Sequence, residues 1–377
     1  MSGNIHADWR ERRQAAGKTM KVKDAVARMG TYDPPLAARK DQNALLLDFN
    51  ESTLPPAPEV IEALQRFLQD GNLQRYPTHP ALLERLAEYA QVRTGQLILC
   101  NGSDQSLEII IRAVLEPGDE MVQARPGFAM IPQFAEVLGA VVVSPAYRED
   151  MSFPCEEVLA AVTPRTRLIV LINPNNPTGT AIAPRQIETI LKTHPDIPVL
   201  VDEAYYEFTG ETAVPMLARH GNLAITRTFS KAFALAGLRL GYVISNEQFI
   251  QELYKVRGPF DVNILAVKAA EAVLAHSGSW RKYIDEVMNR AKPMVERFFD
   301  EHSVTYFRGA ANFMLVRPDD RDAACEYLRE NRILVRPQSP PIGDTFRLSV
   351  GTVADMTRFM EVYSGYLASR EGGARQA

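Results

Sequence analysis

Cysteine is scarce in this chain. Its 377 residues include three, Cys100, Cys155 and Cys325, odd in number and far apart. That excludes a disulfide framework, and none of the spacings is of the metal-binding kind. They read as reduced thiols of a cytosolic protein. Long apolar runs are absent too. None approaches the roughly 20 residues that span a bilayer, so no membrane partner is expected. Met1 to Met20 is polar with mixed charge and has no apolar core. It reads as a loose arm rather than a secretory signal. Basic excess is also lacking. Lys plus Arg number 42 against 46 Asp plus Glu, a formal net charge of −4, so charge does not point to nucleic acid. There is no repeat and no low-complexity block. What is left is ordinary globular composition, 46% hydrophobic and 23% charged. The length suits two domains, or one large domain with an appendage.

From Leu97 to Ile244 short apolar runs alternate with helical patterns. The strands expected are Leu97–Cys100, Glu120–Gln123, Ala140–Val143, Leu168–Ile172, Val199–Val201, Ala224–Thr228 and Leu240–Ile244. Several are continuously apolar, as strands buried on both faces are. Helices are expected between them at Asp104–Leu115, Phe128–Leu138, Glu156–Ala161 and Arg185–Lys192. The alternation predicts an α/β domain with a mostly parallel sheet, whose ligands bind at the carboxyl ends of the strands. After Asn263 the pattern changes. A long helical stretch runs to His302. Strands at Phe313–Val316, Leu334–Val335 and Phe346–Val350 follow, with helices at Ala323–Arg329 and Ala354–Ala368. That reads as a smaller α+β domain. The division expected is an arm over 1–20 and a segment over 21–49 that joins the small domain. The large domain covers 50–262, the small domain 263–368 and a frayed tail 369–377. Pro34-Pro35 and Pro55-Pro56 punctuate the entry.

The densest chemistry lies in Thr228-Phe229-Ser230-Lys231-Ala232-Phe233-Ala234-Leu235-Ala236-Gly237-Leu238-Arg239. A strand ends in a Ser-Lys pair, and an Arg follows the lysine. A strand-end lysine is held on a scaffold yet reaches into a cleft, and burial beside cations makes its amine nucleophilic toward carbonyls. The Ser hydroxyl and Arg fork suit a phosphate. Taken alone, a Ser-Lys pair is more often a solvated loop. Further features fall at strand ends, however. Asn101-Gly102-Ser103-Asp104 joins a strand to a helix, where Gly102 allows close backbone approach and free N–H groups suit an anion. Asn173-Pro174-Asn175-Asn176-Pro177-Thr178-Gly179 follows an apolar strand and offers amide donors. Asp202 ends another strand, where a buried acid is costly unless paired, and Tyr205 lies three residues on. Phe128 is expected to open a helix and to stack on a ring or pack in the core. Arg347 stands in a small-domain strand, either ion-paired or holding a carboxylate.

In this order, with Asp202-Glu203-Ala204-Tyr205-Tyr206-Glu207-Phe208 and Phe346-Arg347-Leu348-Ser349-Val350-Gly351-Thr352 included, the strings resemble the fold-type I pyridoxal-phosphate-dependent aminotransferases. Within them they are similar to the histidinol-phosphate aminotransferase branch, over Lys21 to Leu367. The resemblance implies pyridoxal 5′-phosphate (PLP) as cofactor and a homodimer with shared active sites. It implies that Lys231 carries the cofactor as a Schiff base and later moves a proton. Asp202 would pair with the ring nitrogen, and Asn176 and Tyr205 would donate to the ring oxygen, with Phe128 stacked on the ring. Gly102, the Ser103 and Asp104 backbone, Thr228, Ser230 and Arg239 would form the phosphate cup, with Tyr76 reaching the cofactor of the other subunit. Arg347 and Asn176 would bind substrate, Arg347 through its α-carboxylate, and Arg336 would hold a distal phosphate. No metal is implied. The substrate pair implied is histidinol phosphate, or imidazole acetol phosphate, with glutamate or 2-oxoglutarate.

The chain departs from the family where an Asn-Glu-Asn-Pro string followed by an aromatic residue or Leu is usual. Here Asn50-Glu51-Ser52-Thr53-Leu54-Pro55 stands, and no Tyr hydroxyl is supplied to a substrate phosphate. Phe128 stands where Tyr is common. Three rival readings remain: an aminotransferase for an aromatic or specialised-metabolism amine, a PLP decarboxylase acting on threonine phosphate, and a PLP-binding regulatory domain. The last needs a DNA-reading module, for which the residues before Lys21 are too few.

Overall fold

The computed structural model of the protein describes residues 20–31, 36–41, 43–71 and 73–374. The expected arm apart from Met20, the Pro34-Pro35 pair and residues 375–377 lie outside them. Strand β1 (Leu45–Leu47) belongs to the smaller of two sheets. The larger sheet is built from β2 (Leu97–Cys100), β3 (Glu120–Gln123), β4 (Val141–Val143), β5 (Thr166–Ile172), β6 (Val199–Asp202), β7 (Leu223–Thr228) and β8 (Gly241–Ser245). Its order is β2-β8-β7-β6-β5-β3-β4. Six strands run one way; β8 alone is antiparallel, to both β2 and β7. The smaller sheet is completed by β9 (Thr305–Phe307), β10 (Phe313–Arg317), β11 (Ile333–Pro337) and β12 (Phe346–Ser349), in order β1-β11-β12-β10-β9.

The apolar strands are buried on both faces because successive side chains alternate between two cores. Leu97 and Leu99 join one cluster; Ile98 and Cys100 join the other. On β5, Ile169 and Leu171 take the first side and Leu168, Val170 and Ile172 the second. Helices Gly102–Val114 and Glu247–Val256 cover the second face, and Pro80–Ala90 and Pro184–Thr193 the first. Each fully buried Leu, Ile or Val contributes about 1.5–3 kcal/mol before chain entropy is charged. The two cores are therefore the main favourable term.

Several details differ from the sequence reading. The stretch from 263 to 302 is three helices, Ile264–Ala275, Gly278–Glu286 and Lys292–Glu301, the last two joined by a π-turn over Val287–Ala291. The first does not go with the small domain. Its Ala266, Val267, Ala269, Ala270 and Val273 pack with Val60, Leu82 and Leu86 in the large-sheet core. The lobe boundary thus falls after that helix, because an Ala-rich face fits closely against two neighbours. The helix expected from Phe128 starts at Met130, Pro126 and Gly127 keeping the preceding turn irregular. The tail expected to fray from Ser369 continues the last helix, Val353–Ala374. Helices Pro58–Gln69 and Pro80–Ala90, each opened by a proline that needs no N–H partner there, were not anticipated. Strand β1 pairs in parallel with β11, Leu45 to Ile333 through Leu47 to Val335.

Candidate active site

The reversed strand β8 builds one half of the site. Because it runs against its neighbours, its first residue, Gly241, lies beside the last residues of two parallel strands, Cys100 of β2 and Thr228 of β7. The segments that leave those strand ends are Asn101-Gly102-Ser103-Asp104 and Phe229-Ser230-Lys231. Space there is tight. A Cβ on Gly241 would come within 2.5 Å of the Ser103 backbone nitrogen, and one on Gly102 within 2.6 Å of the Arg239 guanidinium. Gly102 also has φ +78°, a conformation that glycine adopts without cost. Arg239 pairs with Asp104 at 2.7 Å, and the Ser230 N–H donates to the Thr228 hydroxyl at 3.1 Å. Helix Gly102–Val114 directs its free N–H groups and the positive end of its dipole at this cup.

Asp202 ends β6, beside β7, and is 4% exposed. The Thr226 hydroxyl donates to its Oδ1 at 2.9 Å. Burial, with a smaller contribution from Asp104, raises its pKa to about 6. The next residue, Glu203, is fully buried and pairs with Arg227 of β7 at 2.9 Å, which ties the two strand ends together. Lys231 Nζ donates to the Phe49 carbonyl at 2.7 Å. Desolvation, then the Arg347 cation, lowers its pKa to about 8, so the neutral amine is far more populated at neutral pH than for an ordinary lysine. Tyr205 is buried; its hydroxyl accepts from Asn50 Nδ2 at 3.0 Å, and burial raises its pKa.

A cleft of about 470 Å³ brings Lys231, Tyr205, Asn176, Phe128, Arg336 and Arg347 together. Arg347, on β12, donates through Nη1 to Asn176 Oδ1 and through Nη2 to the Asp48 carbonyl at 2.7 Å. With its oxygen on Arg347, Asn176 is left to donate through Nδ2. Arg336, on β11, is half-buried. Among the described residues its guanidinium forms no ion pair and no hydrogen bond. It lies instead over the Phe49 ring, 5.5 Å from the centroid. Tyr76 is not in this cleft: it is 74% exposed and stacks on Phe260 at 4.1 Å between ring centroids. Sequence reasoning missed Phe49, which lines the cleft, and Ser349, whose hydroxyl donates to Asn50 Oδ1 at 2.9 Å. It named Asn50 without a role. The residue type was the only signal available: Asn50 has φ +56°, a conformation that Asn is among the few side chains to tolerate.

Comparison with known proteins decides the family. The profile of the aminotransferase class I and II family matches residues 42–362. The chain belongs to the class I and II aminotransferases. It is 33% identical over 339 residues to the dihydroxyacetone phosphate transaminase of Campylobacter jejuni, covering 88% of this chain and 92% of that one. It is 33% identical over 319 residues to the histidinol-phosphate aminotransferase of Akkermansia muciniphila, covering 83% and 87%. Among solved structures, the histidinol-phosphate aminotransferase of Sinorhizobium meliloti, in complex with PLP, superposes with a TM-score of 0.85 at 25% identity. That match covers 94% of this chain and 99% of that one. PLP, the cofactor of this family, has an aldehyde, a basic ring nitrogen and a phosphate. The site has a group suited to each: the lowered Lys231 amine, the buried Asp202 acid and the crowded cup at Gly102, Ser103 and Arg239.

Proposed function

We propose that this aminotransferase moves an amino group between glutamate and a small phosphorylated ketone, with histidinol phosphate and imidazole acetol phosphate as the preferred pair. The observation that carries the substrate class is Arg336. It is a half-buried guanidinium in the cleft with no anionic partner among the described residues. A charged fork so placed is suited to a phosphate. Dihydroxyacetone phosphate is the second reading, favoured by the Campylobacter relative that bears its name.

Bound PLP supplies an electron sink for negative charge developing at the substrate Cα. In our reading Lys231 Nζ would hold the aldehyde and would be the group that moves a proton at the substrate Cα. Asp202, as a carboxylate, would keep the ring nitrogen protonated. Asn176 Nδ2 and the Tyr205 hydroxyl would donate to the ring oxygen, and Phe128 would cover a ring face. Gly102, Ser103, Asp104, Thr228, Ser230 and Arg239 form the phosphate cup. Arg347, held by Asn176 and Asp48, clamps the glutamate α-carboxylate.

We further infer a homodimer. Helix Pro58–Gln69 leaves Ile61 and Leu68, two turns apart on one face, exposed, and Leu73, Tyr76 and Phe260 are exposed as well. We read these exposed side chains, with Tyr76 stacked on Phe260, as part of an association surface from which Tyr76 would reach the partner's cofactor. We place the enzyme in the cytoplasm, where its three free thiols remain reduced.

The test is spectroscopic. Glutamate added to holoenzyme should convert the cofactor to its pyridoxamine form, and imidazole acetol phosphate should reverse the change. Release of CO₂ from threonine phosphate would favour a decarboxylase. Faster turnover of phenylalanine than of histidinol phosphate would end the phosphate reading.

A further inference from the structure

Phe49 lines the cleft, yet the reading above gives it no task. It belongs to the short segment after β1. Arg347 holds the main chain of that segment at the Asp48 carbonyl, at 2.7 Å. Asn50 is buried and tied to both Tyr205 and Ser349. With the backbone held on both sides, at Asp48 and at Asn50, Phe49 keeps its place among the residues that line the cleft.

Two guanidiniums lie over its ring: Arg39 at 4.1 Å from the centroid and Arg336 at 5.5 Å. They differ in what else they touch. Arg39 donates to Asp48 at 3.1 Å and to Glu51 at 2.7 Å, so its charge is compensated and its place is set. Arg336 has the ring and, among the described residues, no anion. A guanidinium is drawn to an aromatic face by the ring quadrupole, and a long side chain that rests on one explores fewer positions. Pre-ordering of that kind lowers the cost of binding an anion.

We propose that Phe49 is the positioning residue for Arg336. The ring holds the guanidinium at one place in the cleft, and the enzyme thereby selects substrates whose anion lies at one distance from the transferred amino group. This rests on the reading of Arg336 as the partner of the substrate phosphate.

The experiment uses holoenzyme with Phe49→Leu, Phe49→Tyr, Arg336→Ala and the Phe49→Leu/Arg336→Ala double change. KM and kcat are measured for histidinol phosphate and for glutamate. A dissociation constant is measured by calorimetry for glycerol 3-phosphate, which has neither amine nor carbonyl to react. Phe49→Leu should raise the KM for histidinol phosphate and the Kd for glycerol 3-phosphate by about two- to thirtyfold, the range of a cation–π contact. KM should rise more than kcat falls, and more than the KM for glutamate rises. Phe49→Tyr should restore both. In the Arg336→Ala background Phe49→Leu should add less than about twofold, because coupled residues are not additive. If Phe49→Leu fails to fold, Phe49→Met, of similar bulk without a ring face, carries the same test. Full additivity in the double variant, or an unchanged KM and Kd in Phe49→Leu while Arg336→Ala raises both, overturns the inference alone. Unchanged values in Arg336→Ala overturn the anion reading and this inference with it.

Discussion

Replacing Asp202 by Asn should act in opposite directions on the apoprotein and on the enzyme. In the fold this carboxyl has its pKa raised from 3.8 to about 6, chiefly by burial. An acid whose folded-state pKa is the higher binds its proton more tightly when folded. Stability is therefore lost as pH rises from about 4 to about 6, and the full penalty stands above that. That rise corresponds to roughly 3 kcal/mol at neutral pH. Asparagine is isosteric and removes the charge. It keeps an oxygen for the Thr226 hydroxyl but accepts less well from the Ala204 N–H, at a cost of roughly 1 kcal/mol. The net expectation is apoprotein more stable by about 2 kcal/mol at pH 7.5, with the gain fading by pH 4.5. In the loaded enzyme the same change would take away the anion proposed to keep the ring nitrogen protonated, and turnover should fall strongly. Urea unfolding of cofactor-stripped protein at the two pH values, beside kcat of the holoenzyme, measures both effects. Apoprotein that is destabilised by the substitution at pH 7.5, or activity within a few-fold of wild type, would refute the reasoning.

Lys231→Ala should abolish turnover while the protein stays folded, and borohydride reduction of the wild-type holoenzyme should leave the pyridoxyl adduct on Lys231 in a peptide map; an adduct on another lysine contradicts the assignment. Arg336→Ala should raise KM for histidinol phosphate about ten- to a hundredfold, the loss of one charge-assisted contact worth roughly 1.5–3 kcal/mol, and affect glutamate less. Tyr76→Phe should loosen PLP without unfolding the chain, seen as faster cofactor loss on dialysis; a wild-type protein that sediments as a fully active monomer would rule out the shared site.

Much of the large domain was legible because its signals are local. A strand buried on both faces needs a short apolar run wherever it lies, and all seven runs named in the sequence form the larger sheet. The chemistry-bearing strings sit at the ends of those runs, and parallel strands place their ends together. Lys231, Tyr205, Asn176 and Phe128, spread over a hundred residues of sequence, accordingly line one cleft. Where periodicity was weak, the sequence said less. Strand β1 has three residues, and its partner lies almost three hundred residues away. Helix Ile264–Ala275 is apolar nearly all round, so its pattern did not say which lobe would take it, and packing against Val60, Leu82 and Leu86 decided that.

The sequence by itself determined the alternating architecture, the residue types available for an aldehyde, a ring nitrogen and a phosphate, and the strand ends from which they project. It did not determine the wall of the cleft. Asn50 meets Ser349 across 299 residues, and Arg347 meets Asn176 across 171. The stack of Phe49 with Arg39 and Arg336 likewise draws on both ends of the chain. Such contacts leave no periodic trace, because each is a single pair whose geometry exists only once two sheets have closed on each other. The tertiary structure alone decided that Asp202 is stripped of water beside Thr226, that Lys231 loses part of its basicity near Arg347, and that Arg336 rests on an aromatic ring. Burial and proximity set those properties, and both belong to the folded chain.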